Sequence, residues 1–316
     1  MPRPTQPLPG ELAYLALVSS DPAAACEILG DDLGLARRDL SCGGEPVAAF
    51  TAGRVALAVV PAGHPLVGAD AKPGVHHAGF ATDDLEAAAQ RLRAAGVGIA
   101  DSAPQPALDG CRALRLERDG MLGVRAVLTE KPQFAPPAQG PIERIDHVGI
   151  ASTDAAEDEA LFADRLGFPV ESRQTDMEVL TAIESFTSDR YGVVYHSRRP
   201  EPVGGLRVCF ISVGDCEFEF LANFDPRQGG EVEHGRAGST RQDQGAIARF
   251  VASRGRGLHH LALKTADIDA LLARLAAAHR PLIDTRGRPG SRRARIGFLH
   301  PRALGGVLLH FVERTA

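Results

Sequence analysis

The sequence predicts an α+β protein made of four strand–helix–strand–strand–strand modules (βαβββ), two in each half of the chain. The first observation behind this prediction is an internal repeat. The segments 74–84 (GVHHAGFATDD) and 257–269 (GLHHLALKTADID) each place a histidine pair in a short apolar strand and acidic residues at the start of a helix. The second observation is that each half also begins with a strand, a helix and further strands. The module therefore occurs twice per half.

A proline-rich stretch separates the two halves. Residues 131–141, KPQFAPPAQGP, have the composition of a linker and are poor in helix-forming residues. We therefore expect a first domain over residues 1–130, a linker over residues 131–141 and a second domain over residues 142–316. At 316 residues the chain is long enough for two domains with cores of their own.

The first half contains the elements of two modules. Asp21 and Pro22 are typical of a helix start, with the acidic residue as N-cap and the proline in the first turn. Apolar runs predict strands around this helix and around a second helix that ends near Ala95. The predicted strands are 11–18, 47–50, 55–60, 74–80, 113–116 and 123–128, and the first helix is 21–33.

The second half repeats this order of elements. Its predicted strands are 145–150, 205–213, 216–221, 257–263, 295–299 and 306–313, and its predicted helices are 154–166, 244–253 and 267–278. A longer segment, residues 174–204, lies between the first of these helices and the next strand. Its length and aromatic residues indicate either a lid or pocket wall, or a solvated insertion whose aromatic side chains pack into the core.

Composition argues against several classes of partner. The net charge is -5 and the pI is about 6.1, which gives no support for a nucleic-acid or anionic-membrane partner. No apolar run approaches the roughly 18 residues that span a bilayer, and residues 1–10 lack the apolar core of an export signal. The five cysteines are scattered and form no Cys-x-x-Cys motif, which is typical of a reducing compartment. We therefore expect a cytoplasmic protein.

Five segments of the second half carry a family resemblance. They are IDHVGI at 145–150, VGDCEFEFL at 213–221, IARF at 247–250, GRGLHHLAL at 255–263, and ARIGFLHP at 294–301 followed by GGVLL at 305–309. These segments resemble the vicinal oxygen chelate superfamily of glyoxalases, bleomycin-resistance proteins and dioxygenases. The second half is similar in particular to methylmalonyl-CoA epimerases. The resemblance implies that two modules curl a mixed β-sheet into a half-barrel around one divalent metal ion.

The resemblance also implies a set of metal ligands on the first and last strands of each module. Carried over to this sequence, the ligands are His147, Glu219, His260 and His310. Three imidazoles and one carboxylate suit iron, cobalt, nickel, zinc or manganese. In the family the position of His310 holds a glutamate, which in epimerases also takes part in proton transfer. His310 and Glu219 are therefore the predicted catalytic residues, although a ligating imidazole has no nitrogen left to act as a base.

Two further segments offer candidates for substrate binding and proton transfer. In residues 174–204 we single out Tyr195 and His196 as substrate-binding residues; the alternative bases there are Asp176, Glu178, Glu184, Tyr191, Tyr195, His196 and Glu201. Residues 286–302 are rich in arginine, and Arg295 is the candidate for binding an acidic substrate. For both segments a solvated loop is the alternative interpretation.

The first half lacks most of the expected ligands. The aligned positions hold Tyr14, Ala58, His77 and Val127, of which only His77 is a metal-ligating type. We therefore expect a diverged, metal-free first domain that is structural, forms an oligomer surface, or supplies one wall of the pocket. A homodimer is left open by the sequence.

Three functions are consistent with these predictions. The preferred one is a metal-dependent epimerase, isomerase or lyase that works through the chelated enolate of a small acid, thioester or keto compound. The first alternative is a non-haem iron dioxygenase of the extradiol or keto-acid type, which the two-domain length favours. The second alternative is a resistance-type protein that binds a small molecule without turnover. In each case the partner is an acidic or oxygen-chelating small molecule.

Overall fold

The protein folds into two eight-stranded mixed sheets, one in each half, and a separate two-stranded sheet. The structure is a computed structural model that describes residues 4, 6–180, 183–197, 199, 201–225 and 245–314. Both large sheets curl and are covered by few helices, which confirms the predicted α+β fold of four βαβββ modules. No helix in these described ranges is long and apolar enough to cross a membrane.

The first sheet has the strand order β2-β3-β4-β1-β5-β8-β7-β6. Its strands are β1 Glu11–Val18, β2 Ala36–Cys42, β3 Glu45–Ala52, β4 Val55–Val60, β5 Gly74–Ala81, β6 Gln105–Pro106, β7 Arg112–Arg115 and β8 Ala126–Thr129, and its helices are α1 Pro22–Glu27 and α2 Leu85–Ala94. The two modules meet where β1 pairs with β5 in antiparallel orientation. Each module closes by pairing its first strand in parallel with its last, β1 with β4 and β5 with β8.

The second sheet repeats this topology in the order β10-β13-β14-β9-β15-β18-β17-β16. Its strands are β9 Ile142–Ser152, β10 Val170–Leu180, β13 Glu201–Val213, β14 Cys216–Phe224, β15 Gly257–Thr265, β16 Arg288–Pro289, β17 Arg295–Leu299 and β18 Leu309–Glu313, and its helices are α3 Ala155–Glu159, α4 Gly245–Arg254 and α5 Ile268–Ala277. The strands β11 Ile183–Ser188 and β12 Gly192–Ser197 form the separate hairpin. Here β9 and β15 are the antiparallel central strands.

Both domains carry β-bulges at equivalent places in their central strands, and the second domain has one more, at Glu143 of β9. In the second domain Asp146 and His259 are the extra, unpaired residues of β9 and β15. In the first domain Ala13 and His76 are the extra residues of β1 and β5. A bulge interrupts the strict alternation of side chains and increases the local twist. The bulges therefore occur at equivalent places beside the centre of each curled sheet.

One hydrophobic core runs through both domains. It contains residues of the central strands and helices of both halves, from Leu12 to Phe311. The ring of Phe80 in the first domain lies 5.9 Å from that of Phe168 and 6.3 Å from that of Phe218 in the second. The concave face of each sheet has separate, smaller apolar clusters. The two domains therefore pack through their convex sides and keep their concave faces for other purposes.

Three local predictions differ from the structure. The helices predicted to reach Leu33 and Leu166 end earlier and continue as π-helical turns, Ile28–Asp32 and Ala160–Arg165. The described part of residues 174–204 forms most of β10, the hairpin β11–β12 and the start of β13. Tyr191 and Tyr195 in this segment are 73% and 71% exposed, so the interpretation that these aromatic residues pack into the core is wrong.

Candidate metal centre

Four buried polar side chains meet at the concave face of the second sheet. They come from the first and last strands of each module: His147 from β9, Glu219 from β14, His260 from β15 and His310 from β18. The register brings them together, because Gly149 in β9 pairs with both Glu219 and His260, while Ala262 in β15 pairs with both His147 and His310. All four side chains are buried, with exposed fractions of 4–7%. Buried groups of this polarity require partners.

The three imidazoles lie close enough to share one ion. The nearest nitrogen atoms of His147, His260 and His310 all lie within 4.8 Å of one another. The carboxylate of Glu219 joins two of them, since its Oε2 lies 3.3 Å from Nε2 of His147 and 3.3 Å from Nε2 of His260. The structure therefore brings together all four residues predicted as ligands. Their role in metal binding stays a prediction.

Gly149 makes room for the ring of His260. A Cβ atom at position 149 would lie 2.0 Å from Cε1 and 2.2 Å from Nδ1 of His260. Even alanine would therefore push the imidazole out of its place. Gly149 belongs to the IDHVGI segment, but the sequence alone indicates no role for it. The feature that could have pointed to this role is the absence of a side chain at position 149, directly opposite the predicted ligand His260.

Asp146 and Arg314 hold the ring of His147. Oδ1 of Asp146 lies 2.8 Å from Nδ1 of His147, and both nitrogens Nη2 and Nε of Arg314 donate to the carboxylate, at 2.5 and 2.9 Å. Burial raises the pKa of Asp146, but these two partners lower it by more, so the pKa ends far below its usual range. The ionised carboxylate fixes the hydrogen of His147 on Nδ1 and leaves Nε2 facing Glu219 as an electron-pair donor.

Burial also keeps the other two imidazoles neutral. It is the main cause that lowers the pKa of His260 and of His310, and the neighbouring histidines add to it. For Glu219, burial raises the pKa, but His147 and His260 lower it by more, so the carboxylate stays ionised. Neutral imidazoles and an ionised carboxylate are the forms that ligate metal ions.

Two ring nitrogens of this group lack hydrogen-bond partners. Among the described residues, Nδ1 of His310 and Nε2 of His260 are buried and accept or donate no hydrogen bond. For His260 the nearby Glu219 oxygen lies outside hydrogen-bonding geometry despite the distance of 3.3 Å. Such orphaned atoms are costly in a folded protein unless something binds them. The donor set therefore fits a divalent transition metal ion.

Two arginine residues lie beside the four buried side chains His147, Glu219, His260 and His310. The guanidinium of Arg292 stacks on the ring of Phe210 at 3.6 Å, and it pairs with Glu171 and Glu217. Its positive charge helps to lower the pKa of Glu219. Arg288 lies over the ring of Phe298, whose centroid is 4.6 Å from that of His310. The sequence shows an arginine-rich segment at residues 286–302, but no local pattern distinguishes these two arginines from the others.

The predicted substrate-binding residues lie elsewhere. Tyr195 and His196 are exposed on β12 of the hairpin. Arg295 at the start of β17 is paired with Asp269 at 2.5 Å and with Glu313 at 3.4 Å. The role of these three residues in substrate binding stays a prediction.

Among the alternative bases whose side chains the structure describes, Asp176 on β10 has a carboxyl that interacts with Glu219. Burial is the main cause that raises the pKa of Asp176, and the charge of Glu219 adds to it. The side chains of Glu178 and Glu184 lie outside the described parts of the chain.

Comparison with solved structures supports the two-domain fold. The 4-hydroxymandelate synthase from Streptomyces coelicolor, solved as a triple mutant, is similar over 100% of this chain and 94% of its own, with a TM-score of 0.61 and 16% identity. Methylmalonyl-CoA epimerase from Mycobacterium tuberculosis is 25% identical and matches 57% of this chain and 93% of its own, with a TM-score of 0.37.

Comparison with curated proteins gives a shorter match. The uncharacterized protein YqjC of Bacillus subtilis (strain 168) is 36% identical over 64 residues, which is 20% of this chain and 46% of that protein. This chain therefore spans less than half the length of that relative.

Family models match both halves of the chain. Two models, both described as Glyoxalase/Bleomycin resistance protein/Dioxygenase superfamily, match residues 11–120 and residues 146–298. The two matches fall on the two curled sheets and together cover well over half of the sequence. The protein therefore belongs to the Glyoxalase/Bleomycin resistance protein/Dioxygenase superfamily, with one such domain in each half.

Proposed function

We propose that this protein is a divalent-metal-dependent enzyme that performs acid–base chemistry on the enolate of a small acid, thioester or keto compound. The reaction class is that of an epimerase, isomerase or lyase. The observation that carries the proposal is the convergence of three buried imidazoles on an ionised carboxylate, with two ring nitrogens that have no hydrogen bond among the described residues. An arrangement of this kind is expensive to maintain as a purely structural feature.

His147, His260, His310 and Glu219 would hold the ion. When bound, it supplies Lewis-acid stabilisation of the oxyanion that forms as a proton leaves the carbon next to a carbonyl. Asp146 fixes the tautomer of His147 by accepting its Nδ1 hydrogen at 2.8 Å. Gly149 fixes the position of the His260 ring.

Asp176 is our candidate for the group that moves the proton. In the epimerases that the second half resembles, a glutamate on the last strand transfers the proton. In this chain that position holds His310, so another residue must do so. Asp176 is partly buried on β10, and the amide of Gln174 lies 3.4 Å from its carboxylate. Burial and the charge of Glu219 raise its pKa, which makes it a better proton acceptor than an ordinary aspartate. Its oxygens would take the proton from the substrate carbon and return it.

Arg292 and Arg288 suit an acidic substrate. Arg292 is held in place by Glu217 and Phe210, and its charge acts on Glu219. The charge of Arg288 acts on His310. Both arginines are already ion-paired, Arg288 with Asp284 and Arg292 with Glu171 and Glu217. An anionic substrate group that approaches the four-residue group would therefore share these guanidinium groups with the carboxylates.

The test is exchange of substrate hydrogen with solvent deuterium. The purified protein, analysed for bound metal, is incubated in D2O with a panel of 2-substituted acids, their thioesters and hydroxyketones. We expect deuterium at the α-carbon of one class by mass spectrometry, loss of exchange in Asp176→Asn, and loss of both metal and exchange in His310→Ala. His77→Ala, at the equivalent of position 260 in the first domain, is the control that keeps both.

Two outcomes would contradict this proposal. Metal-loaded protein that exchanges no hydrogen across the whole panel would argue against the acid–base reaction. A His310→Ala variant with unchanged metal content would show that the ligand set is wrong. His310→Glu addresses the departure from the resembling epimerases, and we expect it to gain activity on methylmalonyl-CoA.

A non-haem iron dioxygenase is the second candidate. It is favoured by the likeness in fold to the 4-hydroxymandelate synthase, which extends over the whole two-domain chain. The discriminating measurement is oxygen uptake by iron-loaded protein with aromatic diols and keto acids. Uptake that depends on substrate and is lost in His260→Ala would favour the dioxygenase. Deuterium exchange without oxygen uptake would favour the isomerase or lyase.

A further inference from the structure

The first domain has an open cavity of about 770 Å³ on the concave face of its sheet. The cavity is lined by Tyr14, His77 and Val127, which stand where the second domain has His147, His260 and His310. It therefore occupies the place in the first domain that corresponds to the four-residue group. Its volume lies within the range of about 300–1,000 Å³ that is typical of small-molecule sites.

The side chains of this cavity do not suit a metal ion. The positions of Glu219 and His310 hold Ala58 and Val127, so a carboxylate and an imidazole are replaced by apolar groups. The concave cluster around them is apolar and contains alanine, valine and leucine side chains. The walls are therefore suited to the apolar body of an organic molecule.

The floor of the cavity holds a chain of hydrogen bonds. The hydroxyl of Tyr14 lies 3.1 Å from Nε2 of His77, and Nδ1 of His77 lies 2.8 Å from Nδ1 of His76. If Tyr14 donates to His77, then His77 donates to His76 and the hydrogen of His76 is on Nε2. If the direction is reversed, the hydroxyl hydrogen of Tyr14 is unused. In both directions one end of the chain has a hydrogen-bond donor without a partner inside the chain.

Arg125 adds a positive charge beside this chain. It lines the cavity, and its charge acts on both His76 and His77. Within the described ranges Arg125, which is an exposed residue, has no carboxylate partner, and the like charge of Arg118 acts on it. Of the two carboxylates that line the cavity, Asp101 is already held by two nitrogens of Arg115, at 2.5 and 2.9 Å. The other, Asp70, is exposed.

From this arrangement we infer that the first domain binds a small organic anion without metal. The carboxylate of the ligand pairs with Arg125 and accepts the spare hydrogen of the Tyr14–His77–His76 chain, and its apolar body lies against the alanine and valine side chains around Val127. This inference is independent of the reaction proposed for the second domain.

The test uses 2-naphthoate as probe and 2-naphthamide as its uncharged counterpart. The chain contains no tryptophan, so naphthalene fluorescence reports binding without interference from indole emission. We expect saturable binding of one naphthoate per chain. Arg125→Gln should weaken it about tenfold or more, as expected for loss of one charge-assisted contact. Arg91→Gln, on the exposed side of α2, is the matched control and should leave binding unchanged.

The uncharged probe separates a specific contact from a general loss of folding. Naphthamide should bind more weakly than naphthoate to the unaltered protein, and equally to the protein and to Arg125→Gln. Binding should also survive chelation of metal and the substitution His260→Ala, which places the probe outside the second domain. Absence of saturable binding, equal naphthoate affinity in Arg125→Gln, or loss of binding on chelation would each overturn the inference.

Discussion

In the second domain, His147, Glu219, His260 and His310 face one another across a curled sheet, whereas the same four positions of the first domain hold Tyr14, Ala58, His77 and Val127. The backbone around them is the same in both, including a bulge in each central strand. His77 is the retained imidazole, and it bonds to Tyr14 at 3.1 Å instead of facing a carboxylate. The scaffold thus sets where side chains meet, and the identity of the side chains decides what they can hold.

The glycines differ in a complementary way. In the second domain a Cβ at Gly149 would lie 2.0 Å from the ring of His260, and in the first domain a Cβ at Gly79 would lie 2.1 Å from the ring of Tyr14. Each domain therefore leaves out one side chain to make room for the large ring that lies opposite. The space is given to a predicted ligand in one domain and to a tyrosine that caps a histidine in the other.

The largest expected effect is the difference in metal binding between variants of His260 and of His77, the histidines at equivalent positions of the two domains. Loss of a residue that only hydrogen-bonds to a metal ligand typically lowers metal affinity about 10–100-fold, and His260→Ala should lower it further because a predicted ligand itself is removed. His77→Ala should keep the metal but leave the buried Tyr14 hydroxyl without its partner, at a cost of about 1–3 kcal/mol in the free energy of unfolding. Metal analysis and thermal unfolding of both variants provide the measurement. Equal metal loss in both would mean that the first domain shares the site.

The free energy of unfolding should also fall in acid, because a histidine of the first domain, His76, is kept neutral in the folded protein. Burial is the main cause that lowers the pKa of His76 to about 4 in the folded protein. The unfolded chain binds the proton from about pH 6.5 downwards, so this residue costs stability progressively as pH falls from about 6.5 to 4. The full cost is up to about 3 kcal/mol. His76→Asn should therefore flatten the dependence of the unfolding free energy on pH in this window. An unchanged slope would show that other groups dominate.

The paired glycine substitutions should have a smaller effect, and a domain-specific one. Gly149→Ala should lower metal affinity by at least about tenfold, because the methyl group displaces the ring of His260. Gly79→Ala should leave metal binding intact and cost about 1–3 kcal/mol of stability through overpacking against Tyr14. Isothermal titration with metal and denaturant unfolding measure the two quantities. Full metal affinity in Gly149→Ala would mean that the ring of His260 can move without loss.

The smallest effect is expected in a segment that only the second domain has. In the first domain β2 leads directly into β3, whereas β10 and β13 are separated by the hairpin β11–β12. Tyr191 and Tyr195 on this hairpin are more than 70% exposed. Their double replacement by alanine should change the free energy of unfolding by less than about 0.5 kcal/mol. A larger loss in denaturant unfolding would show that the hairpin packs on the domain in solution.

Much of this arrangement could be predicted from the sequence, because the internal repeat is clearest in the buried central strands. The histidine pairs stand in apolar strands before acidic helix starts, and the family motifs extend to Glu219 and His310. The strands β2 and β10 were missed because they lie at sheet edges and carry charged residues, ARRDLSC and VESRQTDMEVL, without an apolar alternation. Edge strands face water on one side and need little hydrophobic signal.

The rest of the site depends on tertiary contacts that no local pattern encodes. The bond between Asp146 and Arg314 joins residues 168 positions apart. Arg292 pairs with Glu217 across 75 positions, so its place beside the predicted metal ligands depends on how the turn before β17 meets strand β14. The cavity of the first domain could not be anticipated either, because apolar residues at ligand positions are equally consistent with a filled core.

The core shared by the two domains makes the stability of each depend on the other. Phe80 packs against Phe168 and Phe218, so removing the first domain would expose these rings to water. The side chains on the concave face of the first domain take no part in this contact. They can therefore differ from those of the second domain while the first domain still stabilises its neighbour.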